Sequence, residues 1–315
     1  MTGIQWTQAV WNPTTGCDRV SPGCDHCYAL TMAKRLKGMG QAKYQRDGDP
    51  KTSGPGFGLA VHPDALDLPL HWLKPRKVFV NSMSDLFHDS VPDEFIGSVF
   101  DVMARTPRHT YQILTKRHGR MRSLLNRWAK DDWTWRRYDG LWCGPVKGPL
   151  PNVWLGVSVE DQHWADIRIP VLIETPAAVR FLSCEPLLGP VALDRYLWLS
   201  GPSTAGPFYD YAGRRRFGGG IGGQAISHVK ARDLHWVIIG GESGPGARDM
   251  DLGWARRLVW ECREAGVPVF MKQVGSVAAA RELSLLADRK GGDWDHWPPD
   301  LCVREFPVAA EAVTA

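Results

Sequence analysis

The stretch Asn152–Asp161, NVWLGVSVED, joins a short apolar run to an abruptly polar end. Its first half holds branched and aromatic residues without a charge, and Ser158, Glu160 and Asp161 close it. A short apolar run of this kind is typical of a strand that is buried on both faces, as in a parallel sheet. The polar residues would then lie at the carboxyl end of that strand.

Six other segments repeat this pattern, and each again ends in polar or glycine residues. They are Ala9–Trp11, Lys77–Val80, Thr110–Leu114, Val179–Leu182, His235–Ile239 and Val267–Met271. Segments with helical spacing lie between them, as in Glu94–Ala104 and Asp251–Ala265. Strands alternating with helices favour right-handed βαβ units, so we predict an α/β fold built as a partial (β/α) barrel.

The domain organisation follows from where this alternation is interrupted. Residues 128–150 are rich in Trp, Arg and Gly, and residues 200–224 are dominated by Gly, aromatic and Arg residues. Such stretches bury little apolar surface and are typical of loop insertions. We therefore expect one barrel domain over residues 1–275, with insertions at about 128–150 and 200–224, and a C-terminal extension over residues 276–315.

Composition excludes several classes of protein. Apolar residues make up 43% of the chain and charged residues 23%, which is ordinary for a globular protein with a sizeable core. No apolar run is long enough to predict a transmembrane helix, and the N-terminus lacks the features of a signal peptide. We expect a cytoplasmic protein with no membrane partner. The net charge of +4 does not by itself indicate a nucleic-acid-binding protein.

Three of the seven cysteines lie close together, as Cys17-x6-Cys24-x2-Cys27. A C-x2-C pair is typical of both zinc and iron–sulfur sites. Three interpretations compete: ordinary unligated cysteines, structural zinc completed by His26, His62 or His88, and an iron–sulfur cluster with one open iron. Zinc in a structural site requires four protein ligands, whereas an open position is a requirement in a catalytic site.

A resemblance to a known family extends over most of the chain. The stretches that carry it are IQWTQAVWNPTTGCDRVSPGCDHCYA, VFVNSMSDLFHD, YQILTKR, NVWLGVSVED, RFLSCEPLLGP, WVIIGGESGPGARDMD and VPVFMKQVG, within residues 4–275. With them the chain resembles the radical S-adenosylmethionine superfamily and, more narrowly, a phage-associated family of three-cysteine proteins of unknown function. The gap of six residues departs from the C-x3-C-x2-C spacing that is commonest in that superfamily.

The resemblance implies a fold, two cofactors and a reaction. The fold is the radical S-adenosylmethionine type of partial barrel, with a [4Fe–4S] cluster on Cys17, Cys24 and Cys27. The open iron would chelate S-adenosylmethionine, and one electron from a donor protein such as a flavodoxin or ferredoxin would cleave it to a 5′-deoxyadenosyl radical. The substrate is not identified by the resemblance.

Further candidate cofactor-binding residues stand at the ends of the predicted strands. They are Ser82, Ser84, Asp85, Ser158, Glu160, Glu185, Gly240, Gly241 and Glu242. The resemblance implies that the three after the second strand hold the amino group of S-adenosylmethionine, and that Ser158 and the following two glutamates bind its ribose and carboxylate. The two glycines and Glu242 would form a platform for adenine or carboxylate. Helix capping and a plain tight turn remain alternatives for these residues.

Two single residues carry open alternatives. His26 stands between the paired cysteines, where it would either contact the adenine or serve packing or loop hydrogen bonds. Cys184 follows the fifth predicted strand and is a candidate catalytic residue, as a hydrogen-atom donor. A small buried hydrophobe is the usual role of such a cysteine and is the favoured alternative.

Basic residues suggest a second class of function. Lys116, Arg117, His118, Arg120 and Arg122 follow the third strand, and a further arginine run occupies residues 214–216. Runs of charge usually form a solvated face, but they also suit contact with the phosphates of a nucleic acid or nucleotide substrate. The alternative to the enzyme is therefore a non-catalytic nucleic-acid-binding protein of a phage or mobile element, with a structural zinc site.

Overall fold

A computed structural model describes residues 4–197, 208–209, 215–216, 233–283 and 288–307. Its main sheet has seven strands in sequential order, and every neighbouring pair is parallel. The strands are β1 (Ala9–Trp11), β2 (Lys77–Val80), β3 (Thr110–Thr115), β4 (Val153–Ser158), β5 (Val179–Cys184), β6 (Trp236–Gly240) and β7 (Val269–Gln273). This curled half-barrel confirms the prediction of an α/β fold with a partial barrel.

Helices occupy the connections between the strands. They are α1 (Tyr28–Gly38), α2 (Asp93–Arg105), α3 (His118–Lys130), α4 (Gln162–Ile173), α5 (Asp194–Leu197), α6 (Leu252–Glu264) and α7 (Ser276–Glu282). Local signals set several of their ends. The side chain of Asp161 caps α4 by accepting from the Trp164 amide, and Asp251 caps α6 by accepting from the Gly253 amide. In the described part of the chain, no helix is both long and apolar enough to cross a membrane.

The strands bury both faces, as their continuous apolar runs predict. Alternate residues of β4, such as Val153, Leu155 and Val157, belong to a large core shared with the helices. Trp154, on the opposite face, belongs to a smaller core inside the half-barrel. A parallel sheet covered by helices on one face and by its own curled interior on the other leaves only the strand ends for a site.

Aromatic side chains fill the interior of the half-barrel. Trp6 and Phe79 meet edge to face with ring centroids 4.7 Å apart, and Trp236 lies against Phe306 at 5.3 Å. Trp236 begins β6 and Trp6 precedes β1, so this cluster closes the amino-terminal end of the half-barrel. The polar residues at the strand ends therefore lie at the opposite, carboxyl edge of the half-barrel.

The predicted insertions and extension take different forms. Within residues 128–150, a short antiparallel pair joins Trp135–Arg136 to Trp142–Cys143, and the buried Trp135 ring lies 5.5 Å from that of Trp128. Most of residues 200–224 lie outside the described residues, apart from the pairing of residues 208–209 with 215–216. The C-terminal segment bonds along the edge of β7, where the Met271 amide donates to the Val303 carbonyl at 2.8 Å, so it shares the core of the barrel.

Candidate functional site at the carboxyl edge of the half-barrel

The cysteine loop, residues 12–27, runs from the end of β1 to the start of α1 across the carboxyl edge of the sheet. The Gly16 amide donates to the Met83 carbonyl at 2.9 Å, which fastens the loop beside the end of β2. Gly16 has a φ of +86°, and a Cβ there would lie 2.3 Å from the Gly58 carbonyl oxygen. Only glycine fits this passage, because it lacks a Cβ and adopts a positive φ without strain.

The three cysteines of the loop are free and partly exposed thiols. The Cys24 amide donates to Ser21 and the Cys27 amide to the Cys24 carbonyl, at 2.9 and 3.3 Å, so the C-x2-C pair forms one tight turn before α1. Burial, Asp85 and the other two cysteines raise the pKa of Cys17 to about 12.

Among the described residues, no three His, Cys, Asp or Glu side chains lie close enough together to form a ready-made metal site. The three thiols are therefore not arranged in advance around a metal position. The chemistry of the donor set nevertheless fits an iron–sulfur cluster, since three free thiols come from one loop. Burial raises the pKa of the Cys27 thiol, and the positive charge of Lys116 opposes that rise.

Lys116 lies at the end of β3 and reaches toward the cysteines. Its ammonium donates to the Ser158 hydroxyl at 3.2 Å and lies 3.8 Å from Glu160 Oε1. Burial alone would lower the pKa of Lys116. The pKa is nevertheless raised, because the negative charges of Cys24, Glu160 and Cys27 outweigh the effect of burial. Lys116 belongs to the basic run predicted to form a solvated face, but its side chain is mostly buried at the site.

Glu160 is fully buried behind the cysteine loop. Its Oε1 accepts from the Ser21 hydroxyl at 2.6 Å, and its Oε2 accepts from Arg168 Nη1 at 2.7 Å. A Cβ at Gly23 would lie 2.5 Å from Glu160 Oε1, so the close approach of loop and carboxylate requires glycine there. Glu160 thus joins the end of β4 to the loop and to α4.

Glu242, after β6, is 7% exposed and joins the loop from the other side. His26 Nδ1 lies 2.9 Å from Oε2, and the Arg248 guanidinium donates to both carboxylate oxygens at 2.7 and 3.0 Å. Burial alone would raise the pKa of Glu242, but the hydrogen bonds from Arg248 and His26 outweigh it and lower the pKa to about 2.

The residues after β2 also contact the loop. The hydroxyl of Ser82 donates to Asn12 Oδ1 at 3.3 Å, and that of Ser84 lies 2.6 Å from the Thr14 hydroxyl. Asp85 faces β3, where its carboxylate accepts from the Thr115 hydroxyl at 2.7 Å and from the Lys116 amide at 2.9 Å.

The ends of β5, β6 and β7 meet around an ion pair. Glu185 pairs with Lys272 across the intervening β6, and both side chains are partly buried. Gly240 makes room for this pair, since a Cβ there would lie 3.2 Å from Glu185 Cγ. A side chain at Gly241 would clash with the Val274 carbonyl oxygen at 2.3 Å. The glycines thus serve close packing of the strand ends.

Cys184 is not brought together with the cysteine loop. Its side chain is fully buried in the core between the sheet and the helices, on the opposite face of β5 from the interior aromatics. Burial raises the pKa of the Cys184 thiol well above its usual range. Its role as a hydrogen-atom donor remains a prediction, and its position agrees with the alternative of packing.

A comparison with protein families decides where the chain belongs. The model of the family described as "Protein of unknown function (DUF5131)" matches residues 1–298. The chain belongs to this family. No curated protein and no solved structure matches it.

The three histidines considered as a fourth zinc ligand are engaged elsewhere. His88 Nε2 lies 2.9 Å from Asp18 Oδ2, and its Nδ1 accepts from the Ser90 amide at 3.1 Å. His62 Nε2 lies 2.8 Å from the Thr15 hydroxyl, and His26 contacts Glu242. Both ring nitrogens of His88 are thus occupied, whereas His26 and His62 are each contacted at one nitrogen.

Sequence reasoning missed several residues that hold the site. Arg168 was detectable, because it is a lone cation in the apolar run of α4. Ser21 gave no signal, since its partner Glu160 lies 139 residues away in the sequence. Arg248 gave no signal either, since its Nη2 donates to the carbonyl of Pro22, which lies 226 residues away in the sequence.

Proposed function

We propose that this protein is an iron–sulfur enzyme of the radical S-adenosylmethionine type that acts on an unidentified substrate. Cys17, Cys24 and Cys27 would hold a [4Fe–4S] cluster as thiolates. When bound, the cluster supplies the electron that cleaves S-adenosylmethionine into methionine and a 5′-deoxyadenosyl radical. The remaining roles belong to the residues of the chain.

The observation that carries this proposal is the position of the donor set. Three free cysteines from one loop stand at the carboxyl edge of a sequential parallel half-barrel, the edge at which enzymes built on (β/α) barrels hold their active sites. Three thiols leave one iron of a four-iron cluster without a protein ligand, and that vacancy is a requirement for binding a cofactor.

The residues around the loop suit the chemistry. Lys116, beside the cysteines, would offset the negative charge of their thiolates. The aromatic interior would keep water from the amino-terminal side, because a reactive radical must meet only its substrate. Glu185 and Lys272 present one charge of each sign toward the same edge, which suits the carboxylate and amino groups of S-adenosylmethionine.

The finer assignments depend on the sequence resemblance. We propose on that ground an association with phages and reduction by a flavodoxin or ferredoxin. A cytoplasmic location is proposed as well, from composition and not from the resemblance. A nucleic acid or nucleotide substrate is proposed from the basic residues after β3. Of these, Arg122 is 44% exposed at its side chain and pairs with Glu174 rather than with a site residue.

Anaerobic reconstitution with iron and sulfide tests the cluster. The protein should bind about four irons per chain, as the cluster type requires. A variant with Cys17, Cys24 and Cys27 replaced by Ala should bind none. The matched control is Cys302→Ala, which removes an exposed cysteine outside the loop and should keep full iron content. Stoichiometric zinc without iron in the reconstituted protein would refute the proposal and support the zinc-binding alternative.

A further inference from the structure

The turn that bears Cys24 and Cys27 is held from two sides by carboxylates whose oxygens are already engaged. On the β4 side, the oxygens of Glu160 accept from Ser21 and from Arg168. On the β6 side, the oxygens of Glu242 accept from the Arg248 side chain and its amide, and Oε2 contacts His26. Neither carboxylate is more than 7% exposed.

Arg248 connects Glu242 to the backbone of the turn itself. Its Nη2 donates to the Pro22 carbonyl at 2.8 Å as well as to Glu242 Oε1 at 2.7 Å. Its Nη1 lies 3.5 Å from Asp25 Oδ2. One guanidinium therefore contacts a residue on each side of Cys24, and His26 adds a contact next to Cys27.

We propose that Arg248 and Glu242 are positioning residues, forming a clamp that fixes the C-x2-C turn at the end of β6. The purpose of the clamp rests on the proposed function, but its existence does not. The carboxylate of Glu242 acts on the loop through Arg248 and His26 instead of contacting a cofactor. On the β4 side, Glu160 positions the turn in the same way, by accepting a hydrogen bond from Ser21.

The geometry requires arginine and not merely a positive charge. The planar guanidinium offers several donors in fixed directions, so it serves the carboxylate and the Pro22 carbonyl together. A lysine ammonium is a point charge on a flexible stem and would not span both partners. Charge-assisted hydrogen bonds of this kind are the stronger ones in proteins.

Amide hydrogen exchange in the metal-free protein tests the clamp directly. The amides of Cys24, Asp25 and Cys27 donate within the turn and report on its opening. In Arg248→Ala they should exchange at least about tenfold faster than in the wild type, because hydrogen bonds to charged groups are lost. The exchange rates in Arg248→Lys should match those in Arg248→Ala. The rates in Glu242→Gln should lie between those of Arg248→Ala and those of the wild type.

Arg256→Ala is the control, since Arg256 forms an exposed ion pair with Asp300 through Nε at 2.7 Å. It should leave exchange in the turn unchanged. Unchanged exchange in Arg248→Ala would overturn the clamp. Exchange that rises equally in the turn and in the amides of β4 would also overturn it, because Arg248 would then support the whole fold. Full rescue by Arg248→Lys would reduce its role to charge.

The test separates the clamp from the proposed function because it uses protein without metal. If the variants show the predicted exchange but the protein binds no iron, the clamp is supported and the proposed radical chemistry is refuted. A protein that binds four irons while Arg248→Ala exchanges like the wild type would retain the function and lose the clamp.

Discussion

Neutralising Glu160 should destabilise the protein strongly. Glu160 and Arg168 are both fully buried and meet at 2.7 Å, and two nitrogens of Arg168, Nε and Nη2, have no hydrogen-bond partner within the described residues. Glu160→Gln leaves the arginine charge buried without the carboxylate that contacts it. Breaking a buried pair in this way typically lowers the free energy of unfolding by about 3–5 kcal/mol, and we expect the lower part of that range because the glutamine oxygen can still accept.

Urea denaturation followed by circular dichroism measures this loss. The control is Glu174→Gln, which breaks an ion pair with Arg122 whose side chains are 61% and 44% exposed. That change should lower the free energy of unfolding by at most about 1 kcal/mol. The double variant Glu160→Gln/Arg168→Met should recover part of the loss, since the buried arginine charge is then removed as well. A loss in Glu160→Gln no larger than in the control would refute the reasoning.

Two other predictions concern the clamp and the buried thiol. Because the pKa of Glu242 is lowered from 4.5 to about 2, its contribution to stability is present above pH 4.5 and is lost as the pH falls toward 2. This contribution amounts to at most about 3 kcal/mol of the free energy of unfolding. Glu242→Gln should therefore reduce the fall in that free energy between pH 4.5 and 2, as measured by urea titrations at a series of pH values. A fall as large as in the wild type would contradict the lowered pKa. Cys184→Ala should keep full iron content and lower the free energy of unfolding by about 1 kcal/mol; lost iron would make Cys184 a cluster ligand and the three-cysteine assignment wrong.

The sequence predicted the sheet well because each strand is buried on both faces. An apolar run such as Val179–Leu182 must then be continuous, and its end is marked where polar residues begin. The predicted helix over Asp251–Ala265 likewise lies within one residue of the observed Leu252–Glu264 at each end, because its cap and its following glycine are local signals.

The candidate site was predictable only in its local parts. The cysteine spacing identified the loop, but the contacts that hold it join residues far apart in the chain, such as Arg248 and Pro22, 226 residues away. Lys116 was assigned to a solvated face because its neighbours in the sequence are basic. Its burial depends on the packing of β3 beside β4, which no local pattern specifies.

We expect the cysteine loop to support cleavage of S-adenosylmethionine. The most direct measurement is 5′-deoxyadenosine formed when the reconstituted, dithionite-reduced protein is incubated anaerobically with S-adenosylmethionine. We expect 5′-deoxyadenosine in amounts that rise with protein concentration, none from the variant without Cys17, Cys24 and Cys27, and wild-type amounts from Cys302→Ala. Protein that carries about four irons per chain and yet forms no 5′-deoxyadenosine would contradict the claim.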